Sequence, residues 1–188
     1  MLEDSIKHYD SNNRQWLPLK AGDVQIIRSG SGITHAEKLN QGGLFPQIWF
    51  EPNRQESLGK PAPYGNYRDG DFPIAEENGL KITTFIGPGG PITMDTPVRE
   101  RRFDLSQGEH TVELAPEHKA GLFLLNGELA LSGTSMQKGD FALTEQEQSL
   151  AINASSDTVL FAIEAPDPAP YQTPMRRLDI KSARGRAG

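Results

Sequence analysis

LKAGDVQI at residues 19–26 and QKGDFAL at residues 137–143 are two versions of one pattern. Each has a Lys followed shortly by Gly-Asp and an apolar segment, and each is preceded by a strand-like run, at residues 5–9 and 128–131. A Gly-Asp turn reverses the chain, so we expect the next strand to pair antiparallel with the one before it. A repeat of short strands predicts a doubled β structure.

The rest of the sequence also has the pattern of short strands. Its 188 residues include 19 Gly and 14 Pro, which is typical of many tight turns. Asn126-Gly127 predicts a type I′ hairpin, and a helix is expected only at residues 176–183. Alternating or apolar runs predict strands at residues 6–10, 24–27, 33–37, 46–50, 80–86, 101–105, 110–114, 121–125, 128–131, 141–143, 150–153 and 159–165.

The predicted strands form two halves separated by a polar segment that contains Pro and Gly. We expect a first domain at residues 1–55, a connector at residues 56–79 and a second domain at residues 80–166. The tail at residues 167–188 is rich in Arg and Lys, and we interpret it as a solvated terminus.

Composition narrows the function classes. The sequence has no Cys, which excludes disulfides, thiolate catalysis and thiolate metal sites. Its net charge of −6 disfavours nucleic-acid binding. No apolar run is long enough to cross a bilayer, so we expect no membrane partner. The absence of Cys fits a protein of a reducing compartment, so we expect a cytoplasmic location.

His35 and Glu37 are the candidate chemical groups. Residues two apart on a strand project from the same face, so this imidazole and carboxylate can converge on one point. That combination suits a first-row transition metal. The alternative is a surface His and Glu on an exposed strand face.

Residues 22–37 resemble the second metal motif of the pirin family. In that motif a Gly-Asp-x-Gln strand runs through a Gly-x-Gly-Ile turn to a ligating His and Glu, which match His35 and Glu37 here. Residues 47–50 resemble the Gln-x-Trp strand that follows in pirins, and residues 2–11 resemble the strand and turn that precede it. The resemblance is close over residues 2–52 and loose beyond them. It implies an all-β fold of two cupin-like antiparallel β-barrels, a bicupin, with the first barrel incomplete.

The resemblance also implies a metal site. His35 and Glu37 would be ligands of a divalent transition metal, iron first, with nickel, copper, manganese and zinc as alternatives, and Glu37 would be the catalytic carboxylate. In pirins a His-x-His pair, upstream of the segment that matches Leu2, supplies two further ligands, and this sequence starts after that point. The pirin His at the place of His8 is not a ligand. We therefore expect metal binding to be weak or absent.

The sequence is consistent with three functions. The first is a metal-poor pirin-like protein that binds a protein or small-molecule partner. The second is a flavonol (quercetin) 2,3-dioxygenase, in which the metal binds the enolate oxygen of the substrate and promotes its reaction with dioxygen. The third is a non-catalytic cupin that binds a small ligand. An incomplete barrel leaves a sheet edge exposed, which a second copy of the chain or the chain's own tail could cover. Of the two we expect the second copy, and so a homodimer.

Overall fold

The computed structural model describes residues 5–41, 44–61, 64–145 and 147–173. The chain divides into two compact units, unit 1 at residues 1–71 and unit 2 at residues 72–188. The regular secondary structure described in both units is almost entirely antiparallel strand. The predicted helix at residues 176–183 lies outside the described residues.

The described part of unit 1 contains five strands in two small sheets. The three-stranded sheet has the order β2-β1-β4, and the two-stranded sheet pairs β3 with β5. The only helices among the described residues of this unit are a single turn, α1 at Arg54–Ser57, and a 3-10 turn at Asp69–Asp71. The strands are β1 Ser5–Asp10, β2 Trp16–Lys20, β3 Val24–Ile27, β4 His35–Leu39 and β5 Tyr64–Tyr67.

Unit 2 contains two larger sheets, of six strands in the order β13-β10-β15-β8-β7-β6 and of four strands in the order β12-β11-β14-β9. The strands are β6 Ile74–Glu77, β7 Leu80–Ile86, β8 Arg99–Leu105, β9 Gly108–Glu113, β10 His118–Asn126, β11 Glu128–Leu131, β12 Thr134–Gln137, β13 Phe141–Glu145, β14 Ser149–Ala154 and β15 Thr158–Pro166.

The apolar core of unit 2 is formed by alternate residues of both sheets. On β14 the burial alternates strictly, so that Leu150 and Ile152 face inward while their neighbours face solvent. Phe103 of β8 and Leu122 of β10 are completely buried in the same cluster. Every second residue of such a strand therefore faces the core, as expected for strands that bury one side only.

A buried ion pair lies within unit 2. Arg101 donates from Nε and Nη2 to Oε1 of Glu164, at 2.9 and 2.6 Å. The second carboxylate oxygen of Glu164 accepts from the backbone N–H of Ala115 at 2.6 Å, and Arg101 also donates to the carbonyl of Glu113. Glu164 has no exposed surface. Its charge is tolerated because three N–H groups donate to its two carboxylate oxygens.

The two Gly-Asp turns have the same hydrogen bonds. In unit 1 the Asp23 N–H donates to the Lys20 carbonyl at 3.0 Å, and the Lys20 N–H donates back to the Asp23 carboxylate at 2.9 Å. In unit 2 Asp140 and Gln137 form the same two bonds, both at 2.9 Å. Gly22 and Gly139 supply the positive φ, 85° and 95°, that the third residue of a type II turn needs. The repeat seen in the sequence is therefore a repeated turn.

The expected pairing across these turns is wrong. The turn after β2 leads to β3, which pairs with β5, and the turn after β12 leads to β13, which pairs with β10. Asn126-Gly127 likewise does not close a hairpin, because β10 belongs to the six-stranded sheet and β11 to the four-stranded sheet. Each turn is a corner at which the chain passes from one sheet to another, and turn chemistry alone does not distinguish a corner from a hairpin.

The all-β class is confirmed, with three differences in detail. Within each unit the described strands form separate sheets instead of one closed barrel. Residues 46–50, predicted as a strand, are not assigned to one. The segment predicted as a connector contains β5 and β6, and the division between the units follows Asp71.

Candidate metal centre

The candidate centre lies on one face of the three-stranded sheet of unit 1. Strand β1 pairs antiparallel with β4, so that His8 stands opposite Glu37 and Asp10 stands opposite His35. Because these positions alternate along both strands, all four side chains project from the same face. Ile6 of β1 and Leu19 of β2 are buried on that face as well. The sheet therefore places two imidazoles and two carboxylates side by side.

The donor atoms of three of these residues converge. His35 Nδ1 lies 3.5 Å from Glu37 Oε1, and His8 Nδ1 lies 3.7 Å from the same oxygen. One ligand atom from each of His8, His35 and Glu37 can be chosen so that all three lie within 4.8 Å of one another. Among the described residues this is the one group of three or more His, Asp or Glu side chains arranged in that way.

The group is closed on one side and open on the other. The His8 side chain has no exposed surface, whereas the His35 side chain is 34% exposed and that of Glu37 is 19% exposed. A ligand can therefore approach from the His35 side, while His8 forms the inner wall.

Gln47 holds the Glu37 carboxylate. Its Nε2 donates to Oε1 at 2.8 Å and to Oε2 at 2.9 Å. This contact fixes the rotation of the carboxylate group and leaves Oε1 directed toward the two histidines. Hydrogen bonds of this kind orient metal ligands in many proteins.

Asp10 is the fourth polar residue of this face, and the following turn restrains it. Its Oδ1 accepts from the backbone N–H groups of Asn12 and Asn13, at 2.9 and 2.7 Å, and its Oδ2 accepts from Nδ2 of Asn13 at 2.8 Å. Burial acts to raise the pKa of Asp10, but the bonds from Asn13 and Asn12 together outweigh it and hold the pKa below its ordinary value. Asp10 is therefore a carboxylate at neutral pH.

His8 is a neutral imidazole at neutral pH. Burial lowers its pKa from the ordinary value of 6.5, and the nearby His35 acts in the same direction. The carboxylates of Glu37 and Asp10 oppose this shift without cancelling it. A neutral ring has a lone pair available for a ligand.

The donor set fits a first-row transition metal. Imidazole nitrogens suit zinc, copper, iron and nickel, and a carboxylate oxygen completes the mixed sites that such metals occupy. His35 and Glu37, predicted from their spacing, do lie together on one face. His8 and Gln47 were not predicted as part of the site. The alternation of Ile6, His8 and Asp10 was visible in the sequence, but their register against β4 was not.

The remaining histidines lie in unit 2 and belong to no such group among the residues that the structure describes. Nε2 of His110 is 2.8 Å from the Ser106 carbonyl. The two ring nitrogens of His118 are each 2.7 Å from a carbonyl oxygen, of Pro116 and of Pro97. Because these contacts are with backbone carbonyl groups, we assign both histidines a structural role.

Comparison with known proteins supports this architecture. The family described as "Quercetinase C-terminal cupin domain" matches residues 89–165. The chain is 26% identical over 172 residues to quercetin 2,3-dioxygenase from Escherichia coli K12, covering 88% of this chain and 70% of that protein. Pirin-1 of Arabidopsis thaliana is 29% identical over 143 residues, and the chain spans about half of it, 48%.

A solved structure has the same fold. The bacterial pirin YhhW from Escherichia coli, in complex with nickel(II), superimposes with a TM-score of 0.67 at 22% identity, covering 88% of this chain and 69% of that one. The antiparallel sheets and this likeness define an all-β cupin protein. Within that class, the matched quercetinase-type domain in unit 2 and the similarity to pirins make the chain a pirin-like protein.

Proposed function

We propose that unit 1 binds a divalent transition metal through His35 and Glu37 and that the protein acts as a flavonol 2,3-dioxygenase. The observation that carries this proposal is the 3.5 Å approach of His35 Nδ1 to Glu37 Oε1 at an open face of the sheet. Support comes from the relative named quercetin 2,3-dioxygenase and from the nickel(II) complex of a pirin with the same fold.

Each residue has a defined task in this proposal. His35 donates a ring nitrogen and Glu37 a carboxylate oxygen to the metal, and Gln47 keeps that carboxylate in place. When bound, the metal supplies a Lewis acid that stabilises negative charge on a substrate oxygen. The Glu37 carboxylate also accepts the proton of the substrate hydroxyl, because its side chain is partly exposed whereas that of Asp10 is fully buried.

The test is turnover of quercetin by the full chain loaded separately with iron(II), nickel(II), manganese(II), copper(II) and zinc(II). We expect loss of flavonol absorbance matched by uptake of dioxygen with at least one of these metals. Glu37→Gln should abolish turnover, since the amide neither binds metal well nor accepts the proton. Glu56→Gln, in the exposed helix α1, is the control and should retain it. No turnover with any metal would refute the dioxygenase proposal.

A second candidate is binding of a partner, with a second copy of the chain as the first choice. Strand β13 forms an edge of the six-stranded sheet and exposes two large apolar side chains, Phe141 at 64% and Leu143 at 58%. Edge strands of this kind pair with other chains unless they are covered or charged. Light scattering should show a dimer that the double substitution Phe141→Ser and Leu143→Ser converts to a monomer. A wild-type monomer at high concentration would contradict it.

A further inference from the structure

His8 occupies the position from which a third ligand would reach the candidate metal. It stands directly opposite Glu37 in the β1–β4 register, and its ring centre is 5.5 Å from that of His35. The neighbouring strand, not the His-x-Glu segment itself, therefore brings a second imidazole to the group. Because His8 and Glu37 are far apart in the sequence, no local motif reveals this contact.

The distances around Glu37 suit a shared ion. Metal–ligand bonds of about 2.0–2.2 Å place two ligands of one ion about 3–3.5 Å apart. The observed separations from Glu37 Oε1 are 3.5 Å to His35 Nδ1 and 3.7 Å to His8 Nδ1. Both separations lie at or within a few tenths of an ångström of that range.

The two ring nitrogens of His8 face different groups. Nδ1 is directed toward Glu37, and Nε2 is directed toward Oδ2 of Asp10, at 3.8 Å. A ligating histidine commonly donates its other ring N–H to a carboxylate, which fixes the ring and its tautomer. Asp10 is already held by Asn12 and Asn13, so it offers a rigid acceptor on the far side of the ring.

Although the histidine at the place of His8 in pirins is not a ligand, we propose that in this chain His8 is a metal ligand through Nδ1 and that Asp10 is the carboxylate that positions it. The resulting set of His8, His35 and Glu37 contains two imidazoles and one carboxylate, a combination that binds iron(II), nickel(II) and related ions and leaves further positions open. This inference rests on the proposed metal site and adds a ligand to it. It does not depend on the identity of the substrate.

The test counts imidazoles around the bound metal in the full chain. Nickel(II) is added to the wild-type protein, and X-ray absorption spectroscopy determines how many histidine rings coordinate it. We expect two rings in the wild type and one ring in His8→Phe, with the affinity for nickel(II) lowered by at least about tenfold. His118→Asn removes a histidine of unit 2 and should change neither result.

The outcomes of this test distinguish failure of the His8 assignment from failure of the proposed metal site. One ring in the wild type, or an unchanged affinity in His8→Phe, refutes His8 as a ligand while leaving the site at His35 and Glu37 in place. Absence of nickel(II) binding refutes both. Because His8 is completely buried, the folding of His8→Phe is checked by circular dichroism without metal. If that variant does not fold, the ring count in the wild type decides the question.

Discussion

His8 and Glu37 face each other across the β1–β4 pair, and the facing atoms, Nδ1 and Oε1, are 3.7 Å apart. A fully buried imidazole thus meets a partly exposed carboxylate, and His35 lies on the other side of the same oxygen. The candidate centre is built by two adjacent strands, so its geometry depends on their register as much as on the His-x-Glu spacing.

Loss of the Gln47 contact should weaken metal binding. In Gln47→Leu the Glu37 carboxylate loses the donor that fixes its orientation, and loss of an orienting partner typically lowers metal affinity 10- to 100-fold. Isothermal titration with nickel(II) measures this change. Gln55→Leu, in the exposed helix α1, is the matched control and should bind as the wild type does. Equal affinities for all three proteins would show that Gln47 does not position the ligand.

Unit 2 should lose stability as the pH rises through the weakly acidic range. Burial raises the pKa of Glu100 from 4.5 to about 7. The folded protein therefore keeps a proton that the unfolded chain releases, and the free energy of unfolding falls between pH 4.5 and 7, by on the order of 3 kcal/mol.

Denaturant unfolding at a series of pH values tests this expectation. Glu100→Gln should flatten the pH dependence over that interval, because the amide does not titrate. Glu109→Gln, an exposed position on β9, serves as the control and should keep the wild-type slope. Parallel curves for the wild type and Glu100→Gln would contradict the assignment to Glu100.

Removal of Glu164 should be strongly destabilising. Glu164→Ala leaves the Arg101 guanidinium and the Ala115 N–H without their carboxylate partner, and breaking a buried pair in this way typically costs about 3–5 kcal/mol. Chemical denaturation measures the loss. Lys119→Ala removes an ion pair with Glu145 and Asp167 at the surface and should cost much less. Similar losses of stability in the two variants would show that burial does not make the Glu164 interactions more important than a surface ion pair.

Gly127 should tolerate a methyl group less well than Gly133. Both have a positive φ, 83° and 86°, so alanine at either position meets a backbone penalty of about 1–2 kcal/mol. A Cβ on Gly127 would in addition lie 2.7 Å from the Asp157 carbonyl and also contact Thr158, whereas a Cβ on Gly133 meets nothing within 4 Å. Thermal unfolding should therefore rank Gly127→Ala below Gly133→Ala, and the reverse order would contradict this packing.

The sequence predicted the positions of the strands better than it predicted which strands pair with each other. Alternation and turn residues identified most strands, since both are local properties of the chain. Strand pairing was not predictable in the same way, because the Gly-Asp and Asn-Gly turns lead from one sheet to another and only tertiary packing decides that path. His8 shows the same limit at the candidate centre. Its alternation with Ile6 and Asp10 was visible, but its position opposite Glu37 depends on the pairing of β1 with β4.

Strand β15 has a consequence for how unit 2 folds. It lies between β10 and β8 in the six-stranded sheet, and its register joins Thr158 to Leu105, residues far apart in sequence. Pairings between such distant segments slow folding, because the chain loses entropy in closing a long loop before the contact forms. During synthesis, β8 and β10 leave the ribosome well before the strand that connects them. Until β15 emerges, the strands on either side of it have unpaired edges. We expect the nascent protein to aggregate most readily in this interval, because unpaired strand edges can pair with other chains.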